Sequence, residues 1–432
     1  MKVLWFAPQP LRIIAEKINP SQIAYRGGWL DGIASEIIKH NEIELAVCFQ
    51  GNQASSNENG EVLNVAYYIV GKLPDYRYVD DSYKAQVEKV LDSFKPDVIT
   101  VFGTEHFFQT EVLKYLNQSK YAEVTSVWIQ GLVSVYYNHY NAGIPEKIIN
   151  RVTFKEILTR HTTRKDKESF LIRGKNECLA LEKVRNVFGR TRWDKATTAL
   201  INPNANYYHC NETLRATFYE NVWTLDKCEK HSIFVSQCQT PIKGFHNIIN
   251  IIANLKRDYP DLKLYTTGRN LSTPSFKLKM KFSSYEKYIH ELIVAHNLQN
   301  TIIFMGFLNE KDMCQRYLES HIFVSASSIE NSPNSVGEAM LLGVPTITSF
   351  VGGVADLMKD GEEGFIYQQD APYMLEYYIR QIFQSDELAE KISAGAKKRA
   401  EETHNREMNY TELVSNYETM VALATENYKK GK

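Results

Sequence analysis

The sequence predicts an α/β protein of two domains, each built around a parallel β-sheet flanked by helices. Short apolar segments typical of buried strands alternate with amphipathic helical segments along most of the 432 residues. An asparagine-rich stretch at residues 202–212 interrupts this alternation, and we place the linker between it and Lys230. The predicted domains are residues 1–228 and 229–405, and residues 406–432 form a terminal helix that crosses back to complete the first domain.

Composition and charge exclude several classes of protein. The chain has 50 Lys and Arg against 51 Asp and Glu, a net charge of −1 that gives no support for nucleic-acid binding. Its six cysteines contain no C-x-x-C pair, which favours reduced thiols over a disulfide framework or a zinc site. No apolar run reaches the ~18 residues of a membrane span. We therefore expect a cytoplasmic protein that can also associate with the inner face of the plasma membrane.

The first domain is predicted to alternate strands and helices from its first residues. A helix opens at Gly27-Gly28, another covers residues 82–94, and the turn Asn59-Gly60 leads into the third strand. Residues 202–212 have no regular period and are predicted to be a loop. The predicted strands of this domain are residues 2–7, 43–49, 61–70, 97–102, 123–129 and 185–188.

The second domain shows the same alternation in a stricter form. Helices are predicted at residues 245–256, 285–296 and 310–318, and a further helix begins at Asn334. The terminal segment carries an apolar stripe with helical spacing, from Tyr410 onward. The predicted strands are residues 232–236, 262–267, 301–305, 321–327, 345–349 and 364–367.

Ligands of parallel α/β sheets bind at the carboxyl ends of the strands, so the residues that follow each strand are candidates for a site. In the first domain, Glu105 and His106 follow strand 97–102, and Gln130 follows strand 123–129. Glu105 is favoured because the loop glycine Gly103 precedes it. A lone histidine such as His106 or His139 is more often a surface or core residue than a functional group.

The most informative stretch is SASSIENSPNSVGE at residues 325–338. Glu330 and Glu338 lie eight positions apart across a predicted strand-to-helix turn. With Asn334 as the predicted N-cap, Asn334 and Glu338 share one helix face. The backbone N–H of Ser335 then points out of the helix start, where an anion or a ring of hydroxyl groups can bind.

Residues 232–384 resemble glycosyltransferase family 4, whereas the N-terminal half resembles that family in layout only. The resemblance implies the GT-B fold, in which two Rossmann-like domains face each other across a cleft. It rests on several motifs: Glu330 and Glu338 as the E-x7-E pattern, Lys243-Gly244, Ala339-Met340, Gly343-Val344-Pro345 and Gly352-Gly353-Val354.

The resemblance implies retaining, metal-independent transfer of a sugar from a nucleotide diphosphate sugar, most simply a UDP-sugar. Lys243 would stabilise the leaving diphosphate, Glu330 would bind the donor sugar, and Glu338 would bind the ribose. No Asp-x-Asp metal motif occurs, and no cofactor is implied. The implied donor-binding residues are Gly28, Gln237, Lys243, Gly244, Phe307, Leu308, Glu330, Asn334, Ser335 and Glu338.

Two positions depart from the family pattern. Gln237 stands six residues before Lys243, where the family usually has an arginine, and Arg190 and Arg269 could replace that charge. Gln130 stands where many members have a histidine, and an amide cannot exchange a proton. In a same-face reaction the leaving phosphate can take the acceptor proton. The predicted catalytic residues are Glu330, Lys243, Gln130 and Glu105; the acceptor-side residues are Glu105, His106, Gln130, His139 and Arg190.

The predicted acceptor is a glycan or lipid-linked sugar in surface polysaccharide assembly. Residues 144–195 contain 14 basic and seven acidic residues, an excess of seven. This excess indicates either a solvated helical face or attraction to an anionic acceptor or membrane. Two other functions remain open: a nucleotide-sugar-binding subunit without catalysis, suggested by Gln130 and Gln237, and a sugar phosphorylase of the same architecture.

Overall fold

The computed structural model describes residues 1–18, 30–52, 58–73 and 81–430. The chain forms two compact units, each with its own sheet. Unit 1 comprises residues 1–134, 172–215 and 404–432, and unit 2 comprises residues 135–171 and 216–403. The helix start predicted at Gly27-Gly28, and with it the predicted donor residue Gly28, lies outside the described residues.

The strands fall into two sheets, one in each unit. The sheet of unit 1 has the order β3-β4-β2-β1-β5-β6-β7-β8, and that of unit 2 has the order β11-β10-β9-β12-β13-β14. The strands are β1 Lys2–Phe6, β2 Glu44–Gln50, β3 Glu58–Val62, β4 Val65–Val70, β5 Val98–Phe102, β6 Thr125–Trp128, β7 Asn186–Gly189, β8 Asn206–His209, β9 Glu229–Val235, β10 Lys263–Thr266, β11 Ile302–Phe304, β12 Ser320–Ser325, β13 Thr346–Ser349 and β14 Phe365–Tyr367.

Helices separate most of these strands, as the alternation of the sequence predicts. They are α1 Arg12–Ala15, α2 Asp31–His40, α3 Asp81–Phe94, α4 Phe107–Leu116, α5 Val133–His139, α6 Glu146–Ile149, α7 Phe154–Thr159, α8 Thr163–Leu181, α9 Arg192–Ile201, α10 Phe245–Asp258, α11 Phe276–Lys279, α12 Ser284–Ala295, α13 Glu310–Leu318, α14 Asn334–Leu342, α15 Pro372–Gln384, α16 Asp386–Thr403 and α17 Arg406–Lys430. No helix in the described parts of the chain combines the length and apolar content needed to cross a membrane.

The edge of the first sheet differs from the prediction. Asn59-Gly60 is not a turn: both residues lie in β3, which pairs antiparallel with β4. The turn is Leu63-Asn64, where both residues have positive φ angles of 50° and 62°. Such a left-handed pair matches the twist of a two-stranded hairpin. Gly60 pairs with Tyr67 across these strands, and the Tyr67 ring lies over the glycine.

The predicted asparagine-rich loop is also partly regular. Asn206–His209 forms the edge strand β8, which pairs parallel with β7. The preceding helix α9 was not predicted, although its capping box is visible in the sequence as Thr191 and Asp194. The edge position explains the miss, because β8 is largely exposed and therefore lacks the apolar run of a buried strand.

The terminal helix α17 buries its apolar stripe in the core of unit 1. Tyr410, Leu413, Tyr417 and Met420 all belong to that core. The Tyr417 hydroxyl accepts a hydrogen bond from Trp5 Nε1 (3.2 Å) and lies 2.8 Å from the hydroxyl of Thr100. The last helix of the chain thus packs against strands from its beginning, β1 and β5.

The second sheet is entirely parallel and has the strand order of a dinucleotide-binding fold. The strand β9 is central: β10 and β11 extend the sheet on one side, and β12 to β14 extend it on the other. The chain direction across the sheet therefore reverses between β9 and β12. Ligands of such sheets bind at this switch point, outside the carboxyl ends of the two strands.

Residues 216–228 belong to unit 2, whereas the predicted first domain of residues 1–228 contained them. The same is true of residues 135–171. Side chains on both sides account for this. Arg151 Nη1 donates to both carboxylate oxygens of Glu291, and the buried Glu156 accepts a hydrogen bond from the Ser284 N–H (2.9 Å). His246 Nε2 lies 2.9 Å from the Ala142 carbonyl, and burial lowers the pKa of this imidazole to about 4.

Candidate active site

Lys243 and Glu330 meet at the switch point of unit 2. Lys243 follows β9 and Glu330 follows β12, and the parallel pairing of these strands brings their carboxyl ends side by side. The Lys243 ammonium donates a hydrogen bond to Glu330 Oε1 at 2.5 Å. The side chains are 28% and 11% exposed, so the pair is accessible and also shielded enough for its charges to interact strongly.

Glu330 is held from several directions. The Ser327 hydroxyl donates to the same oxygen, Oε1, at 2.7 Å. The Gly353 N–H donates to the Glu330 carbonyl at 3.1 Å. A Cβ on Gly352, which has a φ of 52°, would overlap that carbonyl oxygen. The glycine pair after β13 therefore positions the backbone of Glu330, which gives the predicted Gly352-Gly353 motif a physical role.

Gly244 brings Lys243 close to the end of β12. Residues Pro241–Lys243 form a single 3₁₀ turn, and Gly244 ends it with a φ of 66°. A Cβ on Gly244 would overlap the carbonyl oxygen of Ala326. The Ser328 N–H also donates to the Ile242 carbonyl at 2.8 Å. The Lys-Gly pair thus requires glycine for a close backbone contact.

The helix α14 begins at Asn334, as predicted, but Asn334 is not its N-cap. Pro333 occupies that position, and it has no side-chain oxygen with which to cap the helix. Asn334 is therefore the first helical residue. It still lies one turn from Glu338, which is 5% exposed. The Ser335 carbonyl accepts a hydrogen bond from the Tyr317 hydroxyl at 3.0 Å.

The other predicted donor residues of unit 2 lie on neighbouring loops. Phe307 follows β11 and is 82% exposed, and Leu308 is partly buried. Gln237 follows β9 and is exposed. Arg269 is paired with Glu286 (3.6 Å), so its guanidinium is already engaged. These residues share the carboxyl-end edge of the sheet with Lys243, but none has a hydrogen bond or ion pair to it among the described contacts.

Sequence reasoning missed the contribution of α5 to this loop. The Tyr136 hydroxyl accepts a hydrogen bond from the Asn331 N–H (3.1 Å). The carbonyl of His139, a predicted acceptor-side residue, accepts one from the Ser328 hydroxyl (2.8 Å). His139 thus supports the Glu330 loop through its backbone. The available signal was the run of tyrosines at residues 136–140, which nothing in the sequence connected to residues 328–331.

Gln130 and Arg190, two of the predicted residues of unit 1, are in contact. Gln130 Oε1 accepts a hydrogen bond from Arg190 Nη2 (3.4 Å), and Arg190 forms a buried ion pair with Glu212. Both partners of this pair are less than 10% exposed, so Arg190 is committed within unit 1. Glu212 was not predicted, because it lies in the asparagine-rich stretch. His106 is exposed at the start of α4.

Glu105 folds back over Gly103 in the same unit. Its Oε2 accepts the Thr104 N–H at 2.9 Å, and a Cβ on Gly103 would overlap that oxygen. Gly103 has a φ of 76°, a left-handed conformation that favours glycine. Burial raises the pKa of the Glu105 carboxyl, although the N–H groups of Thr104 and Gly131 oppose this. A carboxylate with a raised pKa is a stronger base than an ordinary glutamate.

A second buried carboxylate, Glu177, connects the loops after β5 and β6. It accepts hydrogen bonds from the Thr104 hydroxyl, the Val133 N–H, and both the N–H and hydroxyl of Ser134. Burial raises the pKa of Glu177 to about 7, although the hydrogen bonds from Ser134 and Thr104 oppose this shift. Glu177 therefore supports the loop of Glu105 and titrates near neutral pH.

Unit 1 is expected to lose stability as the pH rises from about 5 to about 8. Folding raises the pKa of Glu177 from 4.5 to about 7, so the folded state holds this proton more tightly. The stabilisation is complete below pH 4.5 and disappears as the pH passes 7. A shift of this size corresponds to about 3 kcal/mol. Urea unfolding at about pH 5 and about pH 8 should show that the free energy of unfolding falls in the wild type and changes little in Glu177→Gln.

The exposed Glu182, also in unit 1, supplies the control. Glu182→Gln should retain the pH dependence of the wild type. An equal pH dependence in the wild type and in Glu177→Gln would contradict the assignment.

Among the described residues, Glu36, His40 and Glu407 are close enough together to hold a metal ion. Two cations already balance this group, because Lys39 and Arg406 both form ion pairs with Glu36. The cluster lies in unit 1 and has the features of a surface ion-pair network.

Comparison with known proteins finds a family match for the part of the chain that contains Lys243 and Glu330. Residues 217–399 match the family model described as glycosyl transferases group 1. Spore coat protein SA of Bacillus subtilis is 24% identical over 192 residues, which cover 44% of this chain and 49% of that protein. The capsular polysaccharide biosynthesis glycosyltransferase CapM of Staphylococcus aureus is 30% identical over 105 residues, covering 24% of this chain and 28% of CapM. The chain spans half or less of the length of the curated relatives it matches.

Solved structures resemble the whole chain. A sucrose-phosphate synthase from Thermosynechococcus elongatus superposes on this chain with a TM-score of 0.72 at 14% sequence identity. The superposition covers 98% of this chain and 99% of the synthase chain. HepE of Anabaena, solved with UDP and glucose, gives a TM-score of 0.64 at 14% identity over 96% of this chain and 98% of its own. At this identity the likeness establishes the fold, and the predicted GT-B architecture is confirmed.

Proposed function

We propose that this chain, which contains a glycosyl transferases group 1 domain at residues 217–399, transfers a sugar from a nucleotide diphosphate sugar to a glycan or lipid-linked acceptor. The observation that carries the proposal is the contact between Lys243 and Glu330 at the switch point of unit 2. The region of the family match contains both residues, which are 87 positions apart in the sequence.

The chemistry follows from the charges of the two side chains. A departing nucleoside diphosphate develops negative charge, which the Lys243 ammonium can stabilise. In the structure that ammonium contacts the Glu330 carboxylate. We expect a bound diphosphate to draw Lys243 toward itself, while Ser327 continues to hold Glu330 Oε1. Glu330 is then available to bind the donor sugar and to stabilise the cationic character of its anomeric carbon in the transition state.

The E-x7-E interpretation assigns the second carboxylate to the ribose. Glu338 lies on the first turns of α14, and the N–H groups at the start of that helix favour an anion or hydroxyl oxygens. We propose retention of the anomeric configuration and no metal requirement, as in glycosyltransferase family 4. Lys243 would supply the positive charge that a metal ion supplies in other transferases.

We propose a UDP-sugar as the donor and a polysaccharide as the product. The similarity to HepE, which was solved with UDP and glucose, supports a UDP-sugar donor. The similarity to CapM, a glycosyltransferase of capsular polysaccharide biosynthesis, supports a polysaccharide product. Glu105 is the proposed acceptor-side base because burial raises its pKa. Gln130 can hydrogen-bond an acceptor hydroxyl but cannot take its proton. The free thiols of all six cysteines support a cytoplasmic location.

Gln237 favours one alternative function. This residue brings no charge to the diphosphate, and Arg190 and Arg269 are engaged with Glu212 and Glu286. A site with Lys243 as its principal cation would bind the donor more weakly. A donor-binding subunit without catalysis is therefore the second candidate.

The test combines nucleotide binding with product release. UDP and UDP-sugars should raise the unfolding temperature of the wild type, and Lys243→Met should weaken their binding by about 10- to 100-fold. Lys287→Met, which alters an exposed lysine of the same unit, is the matched control. Incubation with a UDP-sugar and acceptor extract should release UDP, and EDTA should not reduce the rate.

Other outcomes would support a different function or contradict part of the proposal. Binding without release of UDP supports the non-catalytic subunit. Sugar 1-phosphate formed only when inorganic phosphate is added supports the phosphorylase. Equal binding by the wild type and Lys243→Met contradicts the proposed site, and inhibition by EDTA contradicts metal independence.

A further inference from the structure

We propose that an apolar, lysine-rimmed surface on unit 2, formed by α7 and α11, binds the face of an anionic membrane. This surface extends the proposed function, because it would place the enzyme beside a lipid-linked acceptor. It is remote in sequence from Lys243 and Glu330, and its binding can be measured without donor or acceptor.

The helix α7 exposes its apolar side to solvent. Phe154, Ile157 and Leu158 have the i, i+3, i+4 spacing of one helix face, and they are 53%, 64% and 69% exposed. On α11 and just after it, Phe276 is 79% exposed and Met280 is 39% exposed. Phe154, Leu158, Phe276 and Met280 line a recess of about 380 Å³. A cluster of exposed large apolar side chains marks an interaction surface.

The polar side of α7 is turned inward and explains why its apolar side faces out. Glu156 is 2% exposed and accepts hydrogen bonds from the N–H groups of Thr153 and Ser284. The Thr153 hydroxyl donates to the Phe282 carbonyl at 2.8 Å. The helix is therefore anchored to the start of α12 by buried polar contacts. Its outward apolar face is a consequence of this anchoring.

The charges around the recess indicate what it binds. Lys155, Lys277 and Lys281 line it together with the apolar side chains. Lys155 forms an ion pair with Glu286 (3.5 Å), a residue that is 5% exposed. Among the described residues, no carboxylate forms an ion pair with Lys277 or Lys281. The accessible charge of the surface is consequently positive.

Apolar side chains surrounded by lysines fit the boundary between anionic headgroups and acyl chains. Each lysine near an anionic surface strengthens binding several-fold, and the apolar side chains add a contribution that salt does not screen. An acidic peptide would use the lysines but would leave most of the apolar area exposed. The combination therefore favours a bilayer.

The experiment is co-sedimentation of the full-length protein with vesicles. Wild type should pellet with phosphatidylcholine vesicles containing phosphatidylglycerol, and much less with phosphatidylcholine alone. Two variants divide the surface: Phe154→Ser/Leu158→Ser/Phe276→Ser removes apolar groups, and Lys277→Glu/Lys281→Glu reverses charges. Each should lower the apparent partition coefficient by about tenfold or more. High salt should weaken wild-type binding only in part.

Matched controls lie elsewhere on the molecule. Leu200→Ser alters an apolar side chain that is 87% exposed in unit 1, and Lys391→Glu/Lys398→Glu makes the same charge change on exposed lysines of α16. Both controls should bind vesicles as the wild type does. Circular dichroism and UDP-induced stabilisation report that each variant is folded.

Three outcomes would overturn the proposal. One is the absence of wild-type pelleting at low salt, and another is equal binding by the surface variants and the wild type. The third is self-association that the surface variants abolish, without vesicle binding, which would assign this face to a second copy of the chain. If the wild type binds vesicles but transfers no sugar, the proposed function is contradicted and the proposal of a membrane-binding surface still holds.

Discussion

Replacement of Glu330 by glutamine is expected to lower kcat for sugar transfer by about 100- to 1000-fold, with little change in the donor KM. The amide keeps the shape of the side chain and an oxygen that can accept from Ser327 and Lys243, which contact Glu330 Oε1 at 2.7 Å and 2.5 Å. What it removes is the negative charge that would stabilise a cationic transition state. Glu330→Ala should abolish both transfer and slow donor hydrolysis.

The second carboxylate should behave differently. Glu338→Gln is expected to raise the donor KM by about tenfold while kcat changes little, because hydrogen bonds to a ribose act equally in the ground and transition states. Steady-state kinetics with varied donor separates the two effects. Glu402→Gln, on the exposed side of α16, controls for the charge change. Wild-type kcat in a folded Glu330→Gln variant would show that the carboxylate has no catalytic role.

Replacement of Gly352 by alanine is expected to destabilise unit 2 by about 2–5 kcal/mol and to reduce activity as well. At a φ of 52° the new Cβ would overlap the Glu330 carbonyl oxygen. The loop of Glu330 would have to shift, because the overlap is with a backbone atom and not with a flexible side chain. Thermal unfolding should show a decrease of several degrees or more.

Gly361 provides a close control for that substitution. It has a φ of 75°, and a Cβ there would have no other atom within 4 Å. Gly361→Ala therefore includes the strain of a left-handed backbone without the collision, and should cost only about 1 kcal/mol. The difference between the variants measures the close contact at Gly352. Equal destabilisation would mean that backbone strain accounts for the whole effect.

The elements that the sequence predicted best are those with a strong local signal. Helix α13 has the predicted bounds, and the buried strands β5 and β12 lie within a few residues of them. Apolar periodicity and buried β-branched runs specify such elements without tertiary information. Edge elements differ most from the prediction: the turn expected at Asn59-Gly60 lies inside β3, and the loop expected at residues 202–212 contains β8. Neither strand is buried on both faces.

In the candidate site, too, the sequence identified some residues and could not reveal some of their contacts. Glu330, Lys243 and the glycines at 244 and 352–353 were named from motifs, and the structure brings Lys243 and Glu330 into contact. The support of the Glu330 loop by Tyr136 and His139 could not be inferred, since it joins residues nearly 190 or more positions apart. The commitment of Arg190 to Glu212 was equally hidden.

The sequence by itself determined the α/β class, the order of most strands and helices, and the chemical types at the donor loop, because periodicity and glycine positions are local properties of the chain. Only the tertiary structure decided which of those residues meet, that residues 135–171 pack into unit 2, and that α7 turns its apolar face to solvent. Such outcomes depend on contacts between distant segments. In α7 the buried hydrogen bonds of Glu156 determine which face turns outward, although the apolar periodicity of the helix alone would predict the reverse.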